Sequence, residues 1–134
     1  RVEQEYAPLY ERAGLGTTTF SPLASGLLSG KYNDGFPDDA RLGLASMAWL
    51  QDLVLGSDVD TRLAQLRRYS ALAAELELPP AALAIAWCLR NPQVSSVILG
   101  ASRVEQLLQN LQALELGDTV EPAVWARVEA VFAQ

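Results

Sequence analysis

The sequence predicts an α/β chain in which two parallel strands, separated by helices, form part of a larger sheet or barrel. Two short segments, 15–20 and 94–100, have the β-branched and apolar character of buried strands. The residues between and after them repeat apolar side chains at helical spacing. Strands separated by helices pair in parallel through right-handed crossovers. Two such strands alone leave both sheet edges open, which predicts further strands beside them.

The first part of the chain predicts a helix, a strand and a long loop. Apolar residues at helical spacing predict a helix over 2–13, which Gly14 ends and which Pro8 kinks or divides. The segments that follow are, in order, the Thr-rich strand over 15–20, a loop over 21–41 with a helical turn near 27–29, and a weaker helix over 43–55.

The rest of the chain predicts further helices around the second strand. Asp58 or Asp60 can cap a helix that extends to Leu76. Pro79 and Pro80 end that helix and start another, which is apolar nearly all round and should be buried. The remaining elements are the strand over 94–100, a helix over 103–116 with Leu107, Leu108, Leu111 and Leu114 facing inward, and a last helix over about 121–132.

Composition limits the classes of function. The chain has 134 residues, half of them apolar, and a net charge of −6, which argues against a nucleic-acid partner. No apolar run is long enough for a membrane span, and the first residues lack a signal-peptide pattern. One cysteine, Cys88, suits a reducing cytoplasm. The absence of histidine removes the commonest general base and, with a single cysteine, most zinc chemistry.

Small polar residues follow both strands, where ligands bind in α/β folds. After the second strand, Gly100 permits close approach, Ser102 begins a helix that favours anions, and Arg103 adds a guanidinium. The competing interpretation is a capping box, in which Ser102 bonds the backbone and Glu105 reaches back. After the first strand, Lys31 is either a solvated charge or a phosphate ligand.

Three segments together resemble the C-terminal part of the aldo-keto reductases: "FSPLASGLLSGKY", "LAIAWCLRNPQVSSVILGAS" and "EQLLQN". The most similar group contains the potassium-channel β-subunits and related bacterial reductases. The resemblance covers essentially the whole chain, and it implies that residues 1–134 are the C-terminal part of one (β/α)8 TIM barrel. By this resemblance, the two strands are the seventh and eighth of the barrel. The family binds NADP(H) across the carboxyl ends of its strands and reduces carbonyl groups.

The resemblance also implies a set of cofactor-binding residues after the first strand. Phe20 takes the place of the aromatic ring that stacks on the nicotinamide, where close relatives carry tryptophan. Lys31 matches a phosphate partner, and Arg41 matches an arginine near the adenosine end. Asp39 departs from the aromatic residue of close relatives. The loop that wraps the pyrophosphate corresponds to Ser21, Pro22, Leu23, Ala24 and Ser25.

After the second strand, the resemblance implies a site for the 2′-phosphate of NADP(H). Gly100 and Ser102 match this site, and Arg103 beside them supplies charge. By the same resemblance, Gln106 and Asn110 accompany this site one helical face further on, four and eight residues after Ser102. Gln109 stands where the family has a glutamate that contacts adenine.

The resemblance implies an NADP(H)-dependent enzyme, of which this chain supplies the cofactor-binding loops and not the acid catalysts. The family uses a tyrosine, a lysine, an aspartate and a histidine from the first half of the barrel. Tyr32 beside Lys31 is a poor substitute, because adjacent loop positions do not give a buried, oriented pair. The expected partners are a small carbonyl substrate, the remaining half of the barrel and, as an open alternative, a second copy of the chain.

Two other functions stay open on the sequence. The chain could be a truncated, non-catalytic module for binding or assembly, whose open sheet edges associate with another polypeptide. It could also be a structural helical domain with two incidental strands. Binding of NADPH would count against the structural domain.

Overall fold

Helices and strands follow one another in the order that the sequence predicts. A computed structural model describes residues 1–117 and 119–133. Its helices and strands are α1 (Ala7–Ala13), β1 (Thr17–Thr19), α2 (Ala48–Leu55), α3 (Val59–Glu75), α4 (Pro80–Leu89), β2 (Val94–Val97), α5 (Val104–Leu111), α6 (Ala113–Leu116) and α7 (Pro122–Phe132), with 3₁₀ turns over Ala24–Ser29 and Ala45–Met47.

The two strands pair in parallel, as the sequence predicts. Thr17 lies opposite Val94, Thr19 lies opposite Val97, and the register is irregular just after Thr17. The pairing continues one step beyond β2, where the Ile98 N–H donates to the Thr19 carbonyl at 2.8 Å. A side chain at Gly16 would overlap the Ser95 hydroxyl and lie 3.1 Å from the Ser95 Cβ, so glycine lets the two strands approach closely without moving Ser95. The carboxyl ends of both strands therefore lie at one edge of the sheet.

The strands are shorter and more exposed than expected. The predicted strands over 15–20 and 94–100 shrink to Thr17–Thr19 and Val94–Val97. Thr18 and its partner Ser96 are both exposed, so the expectation of buried strands is wrong. The physical reason is that β1 and β2 are the only two strands in the sheet of the described residues, so its edges and one face lie open.

Prolines and an aspartate set the helix starts. Pro8 lies in the first turn of α1, where its missing N–H removes no helical bond, so it neither kinks nor divides a longer helix. Asp58, and not Asp60, caps α3, because its Oδ1 accepts a hydrogen bond from the Thr61 N–H at 3.1 Å. The same hydrogen bonding lowers the pKa of the Asp58 carboxyl.

The main core forms where α3, α4, α6 and α7 meet. α4 is buried over its first two turns, as its all-round apolar composition predicts. Tyr69 of α3 lies beneath it, and its hydroxyl donates to the Pro80 carbonyl at 2.8 Å. The fully buried members of this core are Tyr69, Leu72, Ala73, Ala82, Leu83, Ala84, Ile85, Ala86, Ala113, Trp125 and Val128.

A second, smaller core holds the long loop onto α3. Its loop members are Leu27, Tyr32 and Leu42, and they pack against Leu55 of α2 and Leu66 of α3. The Arg67 Nε also donates to the Asn33 carbonyl at 2.8 Å. The segment predicted as a loop is therefore ordered by its own apolar side chains.

The apolar face of α5 differs from the sequence expectation. Leu107, Leu108, Leu111 and Leu114 are between 43% and 69% exposed, so the prediction that they face inward is wrong. The predicted helix over 103–116 is also interrupted at Gln112, which separates α5 from α6. Nothing in the described residues lies over this stripe of leucines.

Among the residues that the structure describes, no single helix is long and apolar enough to cross a membrane. Among these residues, only two consecutive helices taken together, Val59–Glu75 and Pro80–Leu89, reach the length and apolar composition of a membrane span, and the angle between them is 94°.

Burial in the main core predicts that two leucine-to-alanine substitutions differ strongly in their effect on the free energy of unfolding. Leu83→Ala removes a fully buried side chain from α4 and should lower the free energy of unfolding by roughly 2–5 kcal/mol, because a cavity replaces it. Leu114→Ala removes the same atoms from an exposed position of α6 and should change the free energy of unfolding by less than about 0.5 kcal/mol. Urea unfolding followed by circular dichroism measures both. Equal losses would contradict the burial of α4.

The ion pair between α3 and α7 predicts a pH-dependent contribution to stability. An Arg127 Nη donates to a Glu75 carboxylate oxygen at 2.6 Å, which holds the pKa of Glu75 below its ordinary 4.5. A carboxyl with a lowered folded pKa stabilises the fold above its ordinary pKa, and this contribution is lost as the pH falls through the folded value.

Glu75→Gln should therefore lower the urea midpoint at pH 7 and have no effect at a pH well below the folded pKa of Glu75. Glu77→Gln, two residues further along, is the matched control and should leave the midpoint unchanged at both. A Glu75→Gln effect of the same size at both pH values would exclude the ion pair as its cause.

Candidate functional site

The two segments singled out by the sequence leave the same edge of the sheet. Phe20 comes directly after β1, and Gly100 follows β2 by three residues. Phe20 is 80% exposed, although it is a large aromatic residue at the end of a strand. The edge therefore presents an aromatic ring beside two loops, which is how parallel sheets form ligand sites at their carboxyl ends.

The start of the first loop is conformationally strained. Ser21, Ala24 and Ser25 have φ values of 53°, 46° and 60°, and Gly26 follows with 99°. Positive φ is uncommon for residues other than glycine, and such residues cluster at ligand clamps and active sites. Pro22 and Leu23 lie between them and are half-buried. The strain falls on the segment for which the resemblance implies contact with the pyrophosphate.

Lys31 lies back across this strained turn. Its Nζ is 4.8 Å from the centre of the Tyr32 ring, within range of a cation–π contact. A side chain at Gly26 would come within 2.9 Å of the same Nζ, so the lysine occupies the space that this glycine leaves. The Ser29 hydroxyl closes the turn by donating to the Gly26 carbonyl at 2.7 Å.

Tyr32 is buried, contrary to what its place on a loop suggests. Its ring is 1% exposed and packs 5.3 Å from the ring of Phe36. Its hydroxyl accepts a hydrogen bond from the Leu42 N–H at 3.1 Å. A hydroxyl in this position is not accessible to a substrate, so Tyr32 is not a proton donor for catalysis.

Arg41 lies on a second turn of the same loop. The Ala40 N–H donates to the Pro37 carbonyl at 2.9 Å, and the Gly43 N–H donates to the Ala40 carbonyl at 2.8 Å. A side chain at Gly43 would overlap the Pro37 carbonyl oxygen, so only glycine fits this position of the turn. Arg41 itself is exposed, as is Asp39.

After β2, Ser102 is held by Gln106 and not by a capping box. The Gln106 Oε1 accepts from the Ser102 N–H at 2.9 Å and from the Ser102 hydroxyl at 3.1 Å. The capping-box interpretation is wrong, since the residue that precedes the helix is Arg103, without a side-chain cap, and Gln106 takes the place expected for Glu105. A side chain at Gly100 would meet no atom within 4 Å, so the strand end faces open space.

The three amide side chains predicted along α5 differ in their exposure. Gln106 is half-buried, Gln109 is exposed, and Asn110 is buried among its neighbours. Of the residues predicted for the adenosine end, the structure brings Ser102 and Gln106 into contact. Asn110 lies two turns further along α5, where it is 3% exposed.

Three cations lie on the segments that follow the two strands. Lys31, Arg41 and Arg103 are all exposed, and none of them forms an ion pair within the described part of the chain. Each of these cations can bind an anionic group, although the same segments also carry Asp34, Asp38, Asp39 and Glu105, so their overall charge is not positive.

One cavity of the fold lies away from this edge. A space of about 390 Å³ separates the N-terminal turn from α4 and the strands, and Val2, Thr19, Trp87, Cys88 and Val94 line part of it. It contains none of the residues predicted to bind a cofactor. The charged edge remains the better candidate, because ligand sites of α/β folds lie beyond the strand ends. Within residues 1–117 and 119–133, no cluster of three or more His, Cys, Asp or Glu side chains could hold a metal ion.

The contact between Ser102 and Gln106 predicts a specific change in backbone protection. Gln106→Leu removes the acceptor of the Ser102 N–H and should speed hydrogen exchange at that amide by about two- to tenfold, the factor that one net hydrogen bond supplies. Gln109→Leu makes the same substitution at an exposed position of α5 and should leave the amide unchanged. Exchange followed by NMR measures both. Equal acceleration in the two variants would indicate general loosening of α5.

The fold is thus an α/β chain whose parallel strands end at a strained loop, the edge at which α/β enzymes form their ligand sites. The sequence profile of the "Aldo/keto reductase family" matches residues 1–132. The chain therefore belongs to the aldo/keto reductase family, which confirms the resemblance found in the sequence.

Relatives are found in plants and fission yeast. A "probable voltage-gated potassium channel subunit beta" of Oryza sativa subsp. japonica is 45% identical over 132 residues, which are 98% of this chain and 39% of that protein. A protein of the same description from Arabidopsis thaliana is 44% identical over 133 residues, 98% of this chain and 40% of its own.

A "putative voltage-gated potassium channel subunit beta" of Schizosaccharomyces pombe is 39% identical over 130 residues, 97% of this chain and 38% of its own. This chain thus spans about two fifths of the length of these relatives. The family implies a (β/α)8 barrel, and a helix-rich chain with two parallel strands is consistent with part of such a barrel.

Proposed function

We propose that this chain supplies the NADP(H)-binding loops of an aldo-keto reductase that reduces aldehyde and ketone carbonyls. In this proposal β1 and β2 are the seventh and eighth strands of a (β/α)8 barrel. The observation that carries it is the strained turn at Ser21, Ala24 and Ser25, which has Lys31 folded across it and lies where both strands end.

The residues at this edge fit an extended dinucleotide with three anionic groups. Backbone strain and the space at Gly26 form a narrow turn beside the Lys31 ammonium, which suits the pyrophosphate. The open space at Gly100 and the exposed guanidinium of Arg103 suit the 2′-phosphate that distinguishes NADP(H) from NAD(H). The exposed ring of Phe20 suits a flat, aromatic nicotinamide.

Bound NADP(H) supplies the hydride for carbonyl reduction, and this chain holds and orients it. Phe20 covers one face of the nicotinamide, Lys31 neutralises the pyrophosphate, and Arg41 binds near the adenosine end. The proton for the carbonyl oxygen comes from residues outside this chain, which has no histidine and whose Tyr32 is buried. The single cysteine fits the reducing cytoplasm in which we place the reaction.

Binding of a phosphate at Ser102 requires a small rearrangement. The Ser102 hydroxyl donates to the Gln106 Oε1, so it must exchange this acceptor for a phosphate oxygen. An exposed hydrogen bond of this kind contributes only about 0.5–1.5 kcal/mol, and a charge-assisted bond to phosphate is stronger. The exchange is therefore favourable, and the Ser102 N–H keeps its hydrogen bond to the Gln106 Oε1.

The exposed apolar faces indicate the partner of this chain. The leucine stripe of α5 and the open edges of the two-stranded sheet are surfaces that further strands and helices of a barrel would cover. We propose that the rest of the barrel lies on them. The same surfaces favour a second candidate function, a non-catalytic module that assembles with another polypeptide or with a second copy.

Fluorescence titration with NADPH tests the proposal on two proteins, with the oligomeric state of each recorded. One is the 134-residue chain, and the other is a hybrid in which this chain replaces the 132 matched residues of the rice relative. Binding by the hybrid alone, with oxidation of NADPH on addition of benzaldehyde, supports the reductase. Saturable binding by the isolated chain favours the assembly module. Absence of binding by both overturns the cofactor proposal.

A single and a double variant should differ in their effects on NADPH and NADH. Lys31→Met should weaken NADPH and NADH equally, by about tenfold, because both carry the pyrophosphate that a charged hydrogen-bond donor stabilises. The double variant Ser102→Ala with Arg103→Met should weaken NADPH by a similar factor and leave NADH nearly unchanged. Arg12→Met removes an exposed arginine of α1, before the amino end of β1, and is the charge control. An equal loss of both cofactors in the double variant would assign Ser102 and Arg103 to helix stability.

A further inference from the structure

One buried side chain connects the two cations of the long loop. Tyr32 is flanked in sequence by Lys31, and its hydroxyl is bonded to the backbone of the residue after Arg41. Resemblance to the family assigns no role to this tyrosine, and its burial excludes the role of a substitute acid. Its burial and its two contacts suggest a different role.

On one side, the Tyr32 ring supports the lysine. The Lys31 Nζ lies 4.8 Å from the ring centre, and Phe36 packs against the ring at 5.3 Å. A ring that is 1% exposed and enclosed by the smaller core has one orientation, so the ammonium above it has a fixed platform. Gly26 leaves the space into which the lysine side chain extends.

On the other side, the Tyr32 hydroxyl fixes the turn that carries the arginine. It accepts the hydrogen bond of the Leu42 N–H at 3.1 Å, and Leu42 is itself buried in the smaller core. Arg41 precedes Leu42 directly, so its backbone is tied to the tyrosine although its side chain is exposed. Both cations are thus connected to one buried phenol, Lys31 through its ammonium and Arg41 through the backbone N–H of the next residue.

We propose that Tyr32 is a positioning residue that sets the distance between Lys31 and Arg41, and thereby selects a full dinucleotide over either half of it. The inference rests on the proposed function, in which Lys31 binds the pyrophosphate and Arg41 the adenosine end. The hydroxyl acts on Arg41 and the ring acts on Lys31. The two halves of the cofactor should therefore respond to different parts of the same side chain.

The experiment compares Tyr32→Phe, Tyr32→Leu and Tyr69→Phe in whichever of the two proteins described above binds NADPH. Tyr69→Phe is the matched control. Tyr69 is as buried as Tyr32, and its substitution also removes one hydrogen bond of a tyrosine hydroxyl, but Tyr69 lies in the main core. The probes are NADPH, reduced nicotinamide mononucleotide and 2′,5′-ADP, the last by competition. Urea unfolding is recorded for each variant.

Tyr32→Phe should weaken NADPH and 2′,5′-ADP by about three- to tenfold, the factor for one net hydrogen bond, and leave the mononucleotide unchanged. Tyr32→Leu, which also removes the ring beneath Lys31, should weaken all three. In an Arg41→Gln background, Tyr32→Phe should cause no further loss, because the hydroxyl acts only through the arginine. Tyr69→Phe should lower the urea midpoint as much as Tyr32→Phe does and leave all three affinities unchanged.

Three results would overturn the inference. They are an equal loss of affinity for both cofactor halves in Tyr32→Phe, affinities in Tyr32→Phe that match those of Tyr69→Phe, and additive losses of affinity when Tyr32→Phe is combined with Arg41→Gln. In each case, NADPH binding by the unsubstituted protein would still uphold the proposed function. Absence of NADPH binding by the unsubstituted protein would overturn the proposed function, and this inference with it.

Discussion

The candidate site depends on the parallel pairing of two short strands. Parallel pairing places both carboxyl ends at one edge, so that the long loop after β1 and the turn before α5 begin side by side. Such pairing needs a crossover that returns the chain to the same end of the sheet. The helices α2, α3 and α4 make that crossover, and α4 is buried because it lies between the strands and the other helices. Close approach at Gly16 and Ser95 allows the pairing to form.

The long loop is built more like a small core than like a flexible connection. Leu27, Tyr32 and Leu42 bury themselves against α2 and α3, and backbone hydrogen bonds close the turns at Gly30 and Gly43. A loop longer than about 15 residues without such support would be mobile. Ordering the loop before ligand binding reduces the entropy lost on binding. The strain at Ser21, Ala24 and Ser25 is therefore held by apolar packing a few residues further along.

The distribution of exposed apolar surface also carries functional meaning. Leu107, Leu108 and Leu111 lie on one side of α5 at helical spacing, and the exposed ring of Phe20 stands at the sheet edge. Large contiguous apolar patches on a protein surface mark interaction sites. In a family member that spans about two fifths of the length of its relatives, this surface fits contact with the rest of a barrel. The loop cations and the apolar faces are thus separate surfaces, and the proposed function assigns the first to the cofactor and the second to the rest of the barrel.

The sequence by itself determined the order of the elements, the parallel pairing and the family, because these follow from local patterns. Periodic apolar residues, the proline pair at 79 and 80, and the capping aspartate at 58 act within a few residues along the chain. It did not determine burial: the leucines of α5 have the pattern of a core-facing helix, but burial also requires a neighbour.

Only the tertiary structure decided the roles of Tyr32 and Gln106. A loop tyrosine has no pattern that predicts burial, because its contacts with Leu42 and Phe36 depend on how the chain folds back on itself. Gln106 takes the Ser102 hydrogen bonds that a capping box would give to Glu105, since α5 begins with an extended Arg103. Local sequence sets which groups are available for bonding, and the path of the backbone sets which of them meet.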